Sequence, residues 1–143
     1  MEYDDQDIHN MALCVWKEAR GEGQLGMRAV AHVIKNRVGT PGFAKTLHNV
    51  IYGKNQFSSM SISSDPEFNL IPPPADPQFA YCVTMCSAVL NGGDDDLTDG
   101  AHYYENAATA TSGWFGRVIA GPDGLGTPEH PFREQIGKHR FYL

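Results

Sequence analysis

Between Gln6 and Arg20 the apolar residues Ile8, Met11, Ala12, Val15, Trp16 and Ala19 recur at steps of three and four. A half-buried strand would alternate in twos, so this period commits the segment to an amphipathic helix with one face turned inward. Asp4 or Asp5 is placed to cap its start, with more acid in the first turn, where the helix dipole favours negative charge. Gly21 and Gly23 are the expected terminators. One residue stands out from the stripe. Glu18 follows Val15 by three, which puts a carboxyl on the apolar face in the last turn.

The same reading extends along the chain. A second helix is expected over Leu25 to Val38, with Val30, Val33, Ile34 and Arg37 on one side and Gly39, Pro41 and Gly42 ending it. A short helical piece fits Ala44 to Tyr52, and the serine- and proline-rich stretch Ser58 to Pro77 reads as a long loop. A third helix over Asp76 to Asn91 turns Phe79, Val83, Cys86 and Leu90 inward and stops at Gly92-Gly93, before the acidic turn Asp94-Asp95-Asp96. Ala101 to Asn106 reads as a strand, Gly113 to Pro131 as irregular loop, and Ile136 to Tyr142 as a closing strand. Helices early and short strands late give an α+β class, mainly helical with a small antiparallel β-sheet. With 143 residues, halves would be too small to bury adequate cores, so residues 1–143 form one domain.

Composition excludes several functions. The net charge of −6, with no basic run, argues against nucleic acid, whose phosphates demand clustered Lys and Arg. No stretch of 18 apolar residues exists to insert in a membrane. The acidic start Met1-Glu2-Tyr3-Asp4-Asp5 lacks the basic and apolar regions of a Sec signal. Cys14, Cys82 and Cys86 are odd in number and read as buried free thiols, although Cys82 and Cys86, four apart, could share a metal on a helix. Six histidines occur without His-Glu-x-x-His spacing, and no Gly-x-Ser-x-Gly elbow is present. Neither a zinc peptidase nor a serine hydrolase is supported.

Glu18 is therefore the first candidate for chemistry. Burial and the carbonyl-rich helix end both favour a carboxyl that keeps its proton, the form a general acid needs. The competing role is a structural ion pair with Arg20 or Arg37. Glu22 is either a possible second carboxylate or an acceptor for backbone N–H groups at the start of the second helix. Gly21 between the two acids favours the latter. Tyr103, Tyr104 and Asn106 form a second constellation, with Tyr52, Gln56, Phe57, Trp114, His139 and Tyr142 beside it. Sugar clefts stack aromatic faces on pyranose rings and read polar substituents with amides and hydroxyls. The alternative is that these aromatics pack a small sheet onto its helices.

The blocks Trp16-Lys17-Glu18-Ala19-Arg20-Gly21-Glu22 and Ala29-Val30-Ala31-His32-Val33-Ile34-Lys35-Asn36-Arg37-Val38 resemble the cell wall hydrolase family typified by the spore cortex-lytic enzymes SleB and CwlJ. The likeness continues at Val50-Ile51-Tyr52, Gln56-Phe57-Ser58, Thr98 to Asn106 and Ile136 to Tyr142. The resemblance implies a lysozyme-like catalytic domain with Glu18 as its single essential acid. Gln56, Phe57, Ser58, Tyr103, Tyr104, Asn106 and His139 are then expected to bind substrate. It implies peptidoglycan glycan strands as partner and cleavage between N-acetylmuramic acid and N-acetylglucosamine. Lytic transglycosylation suits a lone acid, because the muramoyl 6-hydroxyl attacks in place of a water that a second carboxylate would activate. The alternatives are a hydrolytic muramidase, using Glu22 or an Asp of 94–99, and a non-catalytic glycan-binding or virion module. A monomer without cofactor or metal is expected. Asn106-Ala107 departs from the family's Asn-Pro, and Asp65 to Pro77 does not align. With no export signal or further domain in the sequence, a phage endolysin is the expected setting, held in the host cytoplasm until a holin opens a route to the periplasmic cell wall.

Overall fold

The computed structural model describes residues 2–143. Helix α1 spans Asp5–Ala19 and is capped by Asp4, whose side chain accepts from the Asp7 N–H at 2.8 Å while the Asp7 carboxylate accepts from the Asp4 N–H at 3.0 Å. The helix stops at Ala19, before Gly21, and a tight turn over Arg20–Glu22 leads into α2, Gly23–Arg37. Gly23 joins them at φ +76°, a left-handed conformation that side chains resist. α3 covers Leu47–Tyr52, starting later than Ala44 because the Thr46 hydroxyl caps it. α5, Pro77–Leu90, begins with Asp76 as cap and Pro77 in the first turn, as its sequence demands.

α1, α2 and α5 pack against one another around Met11, Val15, Val30, Ile34, Cys86 and Val89, each with no exposed surface. Each of these Met, Val and Ile side chains contributes roughly 1.5–3 kcal/mol by leaving water. The inward face of α5 is rotated from the expected one. Cys82, Met85, Cys86, Val89 and Leu90 are buried, whereas Phe79 and Val83 are only partly covered. Cys82 and Cys86 are free thiols in this core, and Cys82 Sγ lies 3.6 Å from Met27 Sδ. Burial pushes the Cys82 thiol up to about 11, so a thiolate for metal binding is disfavoured there.

The sheet has three short antiparallel strands in the order β1-β3-β2: β1 Tyr103–Asn106, β2 Phe132–Ile136 and β3 His139–Tyr142. The expected single closing strand is thus a hairpin, turning at Gly137 with φ +59°. The missed half, β2, carries Arg133, Glu134 and Gln135 and a register shift between Phe132 and Glu134, so its alternation is broken. Two expected loops also hold helical turns: α4, Ser58–Ser61, and α6, Gly113–Phe115, which runs into a wider turn over Gly116–Ala120. Among the described residues no helix is long and apolar enough to cross a membrane.

Candidate active site

Glu18 reaches the surface where the end of α1, the α4 segment and β1 meet. The Tyr104 hydroxyl donates to its Oε1 at 2.8 Å and the Ser59 hydroxyl to its Oε2 at 2.7 Å. Tyr104 stays a donor. The residue keeps some exposed surface, but its hydroxyl is enclosed, and burial, then the neighbouring Glu18 and Cys14, push it far above the ordinary phenol range. Its ring is set by stacking on Phe141, centroids 5.7 Å apart, with the His139 ring at 5.2 Å on another side.

The ion-pair role expected as the alternative for Glu18 does not occur. Arg20 pairs with Glu67 through both guanidinium nitrogens and lies 4.2 Å from the Trp16 ring. Arg37, only 9% exposed, donates to the His102 carbonyl at 2.7 Å and sits 5.2 Å from the rings of both Phe43 and Phe57. It is not idle, because it lines a cavity of about 220 Å³ with Glu18, Gln56, Phe57, Tyr104 and Glu105. Arg37, Gln56 and Tyr104 also line the adjoining hollow of about 320 Å³, with Phe43, Tyr103, Trp114 and Phe115. The two form one groove, with a carboxyl at one end and aromatic rings along the other. Larger hollows of about 480 and 460 Å³ lie beside α1 and α5 around His9, away from Glu18, so size does not mark the site.

Of the expected substrate-binding residues, Gln56, Phe57, Tyr103 and Tyr104 line the groove and three do not. Ser58 points away to Asp65, at 2.5 Å; its neighbour Ser59 makes the contact with Glu18. Asn106 accepts from the Ala108 N–H at 2.9 Å and shapes the turn after β1. His139 packs behind Tyr104, with its Nε2 3.9 Å from Glu22. Among the wider candidates Trp114 joins the groove, Tyr142 is fully buried, and the Tyr52 hydroxyl bonds Asn10.

The second-acid candidates also change. Glu22 occupies the position before α2 but makes no side-chain cap hydrogen bond, so its expected structural role is wrong; its carboxylate faces His139 and Gly137 instead. Asp94 bonds Arg28 and His32, and Asp96 accepts from Asn36, Thr98 and Gly100, so both tie the loop before β1 to α2. The carboxyl residue that shares the cavity with Glu18 is Glu105, whose Oε1 accepts from the Asn106 N–H at 2.9 Å. Its place in Tyr-Tyr-Glu-Asn gave no sign of this, since lining that cavity depends on how β1 docks.

The model of the cell wall hydrolase family matches residues 21–142. The chain belongs to that family. The matched span opens three residues after Glu18, but longer alignments include the acid's neighbourhood. The spore cortex-lytic enzyme of Halalkalibacterium halodurans is 35% identical over 140 residues, covering 97% of this chain and 35% of that protein. That of Bacillus cereus is 36% identical, with coverage of 97% and 45%. The chain thus spans less than half the length of these relatives. Among solved structures, the catalytic domain of the germination-specific lytic transglycosylase SleB from Bacillus anthracis superposes with a TM-score of 0.70 at 33% identity, covering 99% of this chain and 97% of that one. The SleB catalytic domain of Bacillus cereus gives 0.71 at the same identity, over 99% and 93% of the two chains. The mainly helical fold with its small antiparallel sheet is that of the SleB catalytic domain.

Proposed function

We propose that this member of the cell wall hydrolase family cleaves peptidoglycan glycan strands between N-acetylmuramic acid and N-acetylglucosamine as a lytic transglycosylase, with Glu18 as acid and then base. The observation that carries this reading is a single carboxyl held by two hydroxyl donors at the end of an aromatic groove. Family membership and the SleB neighbours support the substrate class and the reaction.

The groove gives each step a residue. Tyr103, Phe43 and Trp114 offer ring faces to the sugars, and Gln56 an amide to their substituents. Glu18 passes its proton to the glycosidic oxygen as the bond from muramoyl C1 to that oxygen breaks. The carboxylate so formed is stabilised where it stands by the Tyr104 and Ser59 hydroxyls, which need not move to meet it. It then takes the proton of the muramoyl 6-hydroxyl as O6 bonds C1. The proton returns to Glu18, the 1,6-anhydro ring closes, and no water is consumed.

Glu105 supports a second reading. Glu105 lines the same cavity, and a second carboxyl turned into it would activate water and make the enzyme a hydrolytic muramidase. Mass spectrometry of muropeptides released from purified sacculi separates the two. Anhydro-muramoyl ends are expected; reducing ends carrying one added water would overturn transglycosylation in favour of hydrolysis.

A further inference from the structure

The stretch from α4 to α5 carries little regular structure, yet four of the five residues 16–20 bond to it. Trp16 Nε1–H donates to Asp76 at 3.1 Å, Lys17 to two backbone carbonyls, Ser59 to Glu18, and Arg20 to Glu67. Lys17 is the unexpected member. It lies off the apolar stripe of α1, yet is only 9% exposed and makes no ion pair among the described residues. Its ammonium donates to the carbonyls of Ser59 at 3.2 Å and Phe68 at 2.7 Å, and lies 5.8 Å from the Phe68 ring.

The Glu67 and Asp65 carboxylates lie near enough to favour the charge, but burying it with only carbonyls in hydrogen-bond range is still costly, and an apolar side chain would fill the same space without that cost. The geometry shows what the charge accomplishes. Ser59 is gripped at both ends: its backbone carbonyl by Lys17 and its hydroxyl by the Oε2 of Glu18, the next residue on the same helix. Fixing that carbonyl fixes where the hydroxyl points. The Phe68 carbonyl ties down the far end of the same loop, and Arg20 with Glu67 holds it one turn further on.

We infer that Lys17 is a positioning residue for the reaction. It acts through Ser59 to hold the Glu18 carboxyl in the direction from which it delivers its proton. This rests on Glu18 being the acid, as proposed above. Misdirecting a proton donor slows the bond-breaking step without loosening the grip on the sugars, so the loss belongs in kcat and not in KM.

The test compares Lys17→Met, Lys17→Arg, Ser59→Ala and the Lys17→Met/Ser59→Ala double variant, with kcat and KM measured on soluble peptide-free glycan oligomers and scaled to the folded fraction by circular dichroism. Lys17→Met and Ser59→Ala are each expected to lose roughly tenfold in kcat, the scale of one charge-assisted hydrogen bond, with KM within about twofold. Because both act on one contact, the double variant should be no worse than about twofold below either single one. Lys17→Arg keeps a cation and should recover part of the loss. Should Lys17→Met not fold, the same non-additivity is required of Lys17→Arg with Ser59→Ala. Full turnover in a folded Lys17 variant, losses that multiply, or a loss confined to KM overturns the inference and leaves the proposed function standing. A wild type that releases no product, or a fully active Glu18→Gln variant, overturns the proposed function and this inference with it.

Discussion

The helical wall of the groove hides its side chains and the sheet wall does not. Around α1, α2 and α3 the residues Val15, Val30, Ile34, Val50 and Ile51 have no exposed surface, and Glu18 stands on this frame. On the other side no residue of β1 is fully buried, and of the whole sheet only Phe141 and Tyr142 are. The groove's rings along this wall, Tyr103, Tyr104 and Trp114, all keep exposed surface. The difference divides the labour. A proton donor needs a fixed place, which dense packing supplies. A glycan groove needs exposed ring faces, and those come from the thinner, partly covered layer.

The sharpest way to break this division is Glu18→Gln, which keeps the shape but cannot cycle a proton. Activity on sacculi should fall roughly a thousandfold, with the circular dichroism spectrum and melting temperature unchanged. If the packed wall is what holds the acid, Ile34→Ala should cost about 2–5 kcal/mol in urea unfolding, through the cavity it leaves. The folded fraction should still cleave. Tyr104→Phe removes one donor from the Glu18 carboxyl and should lower kcat roughly 10- to 100-fold with little change in KM; an unchanged kcat would show that the sheet wall contributes only shape.

Acid should loosen the loop that joins α5 to β1. Burial opposes the Asp96 carboxylate, but hydrogen bonds from Thr98, Asn36 and Gly100 outweigh it and hold the group below the usual carboxylate range. Asp94 is held below it too, where hydrogen bonds from His32 and Arg28 outweigh burial. A carboxylate with a depressed folded value adds stability that is complete above its unfolded value near pH 4 and is lost as pH falls through the lower folded one. The melting temperature should therefore drop on acidification below about pH 4, and less steeply in Asp96→Asn. The smallest effect is expected at Trp114, which is 57% exposed. Trp114→Ala should raise KM by about threefold to tenfold through a lost stacking surface. Stability should stay within ~0.5 kcal/mol, as for any exposed residue.

What could be read before folding follows the same line. The three long helices and the inward placement of Glu18 were legible, because helical period and caps are set by residues three and four apart. Asp4 and Asp76 each cap a helix from one position outside it, where side chains of their type belong. The hairpin was half missed, since a bulge and three polar residues broke the alternation of β2. The site itself was legible only in part. Gln56, Phe57, Tyr103 and Tyr104 do line the groove beside Glu18, but the hydroxyl on Glu18 comes from Ser59 and not Ser58, and the other carboxyl residue lining the cavity is Glu105 and not Glu22.

In each of those exchanges the choice lay between near neighbours or like residues, and local pattern cannot make it. Whether Ser58 or Ser59 faces Glu18 depends on a single helical turn and on where Lys17 pins its backbone. The amino-acid order alone determined the helical frame, the absence of any membrane-length apolar run and the one carboxyl turned inward. Which hydroxyls meet that carboxyl was decided by contacts spanning 41 and 86 residues of chain, because only closing those distances brings α4 and β1 to the end of α1.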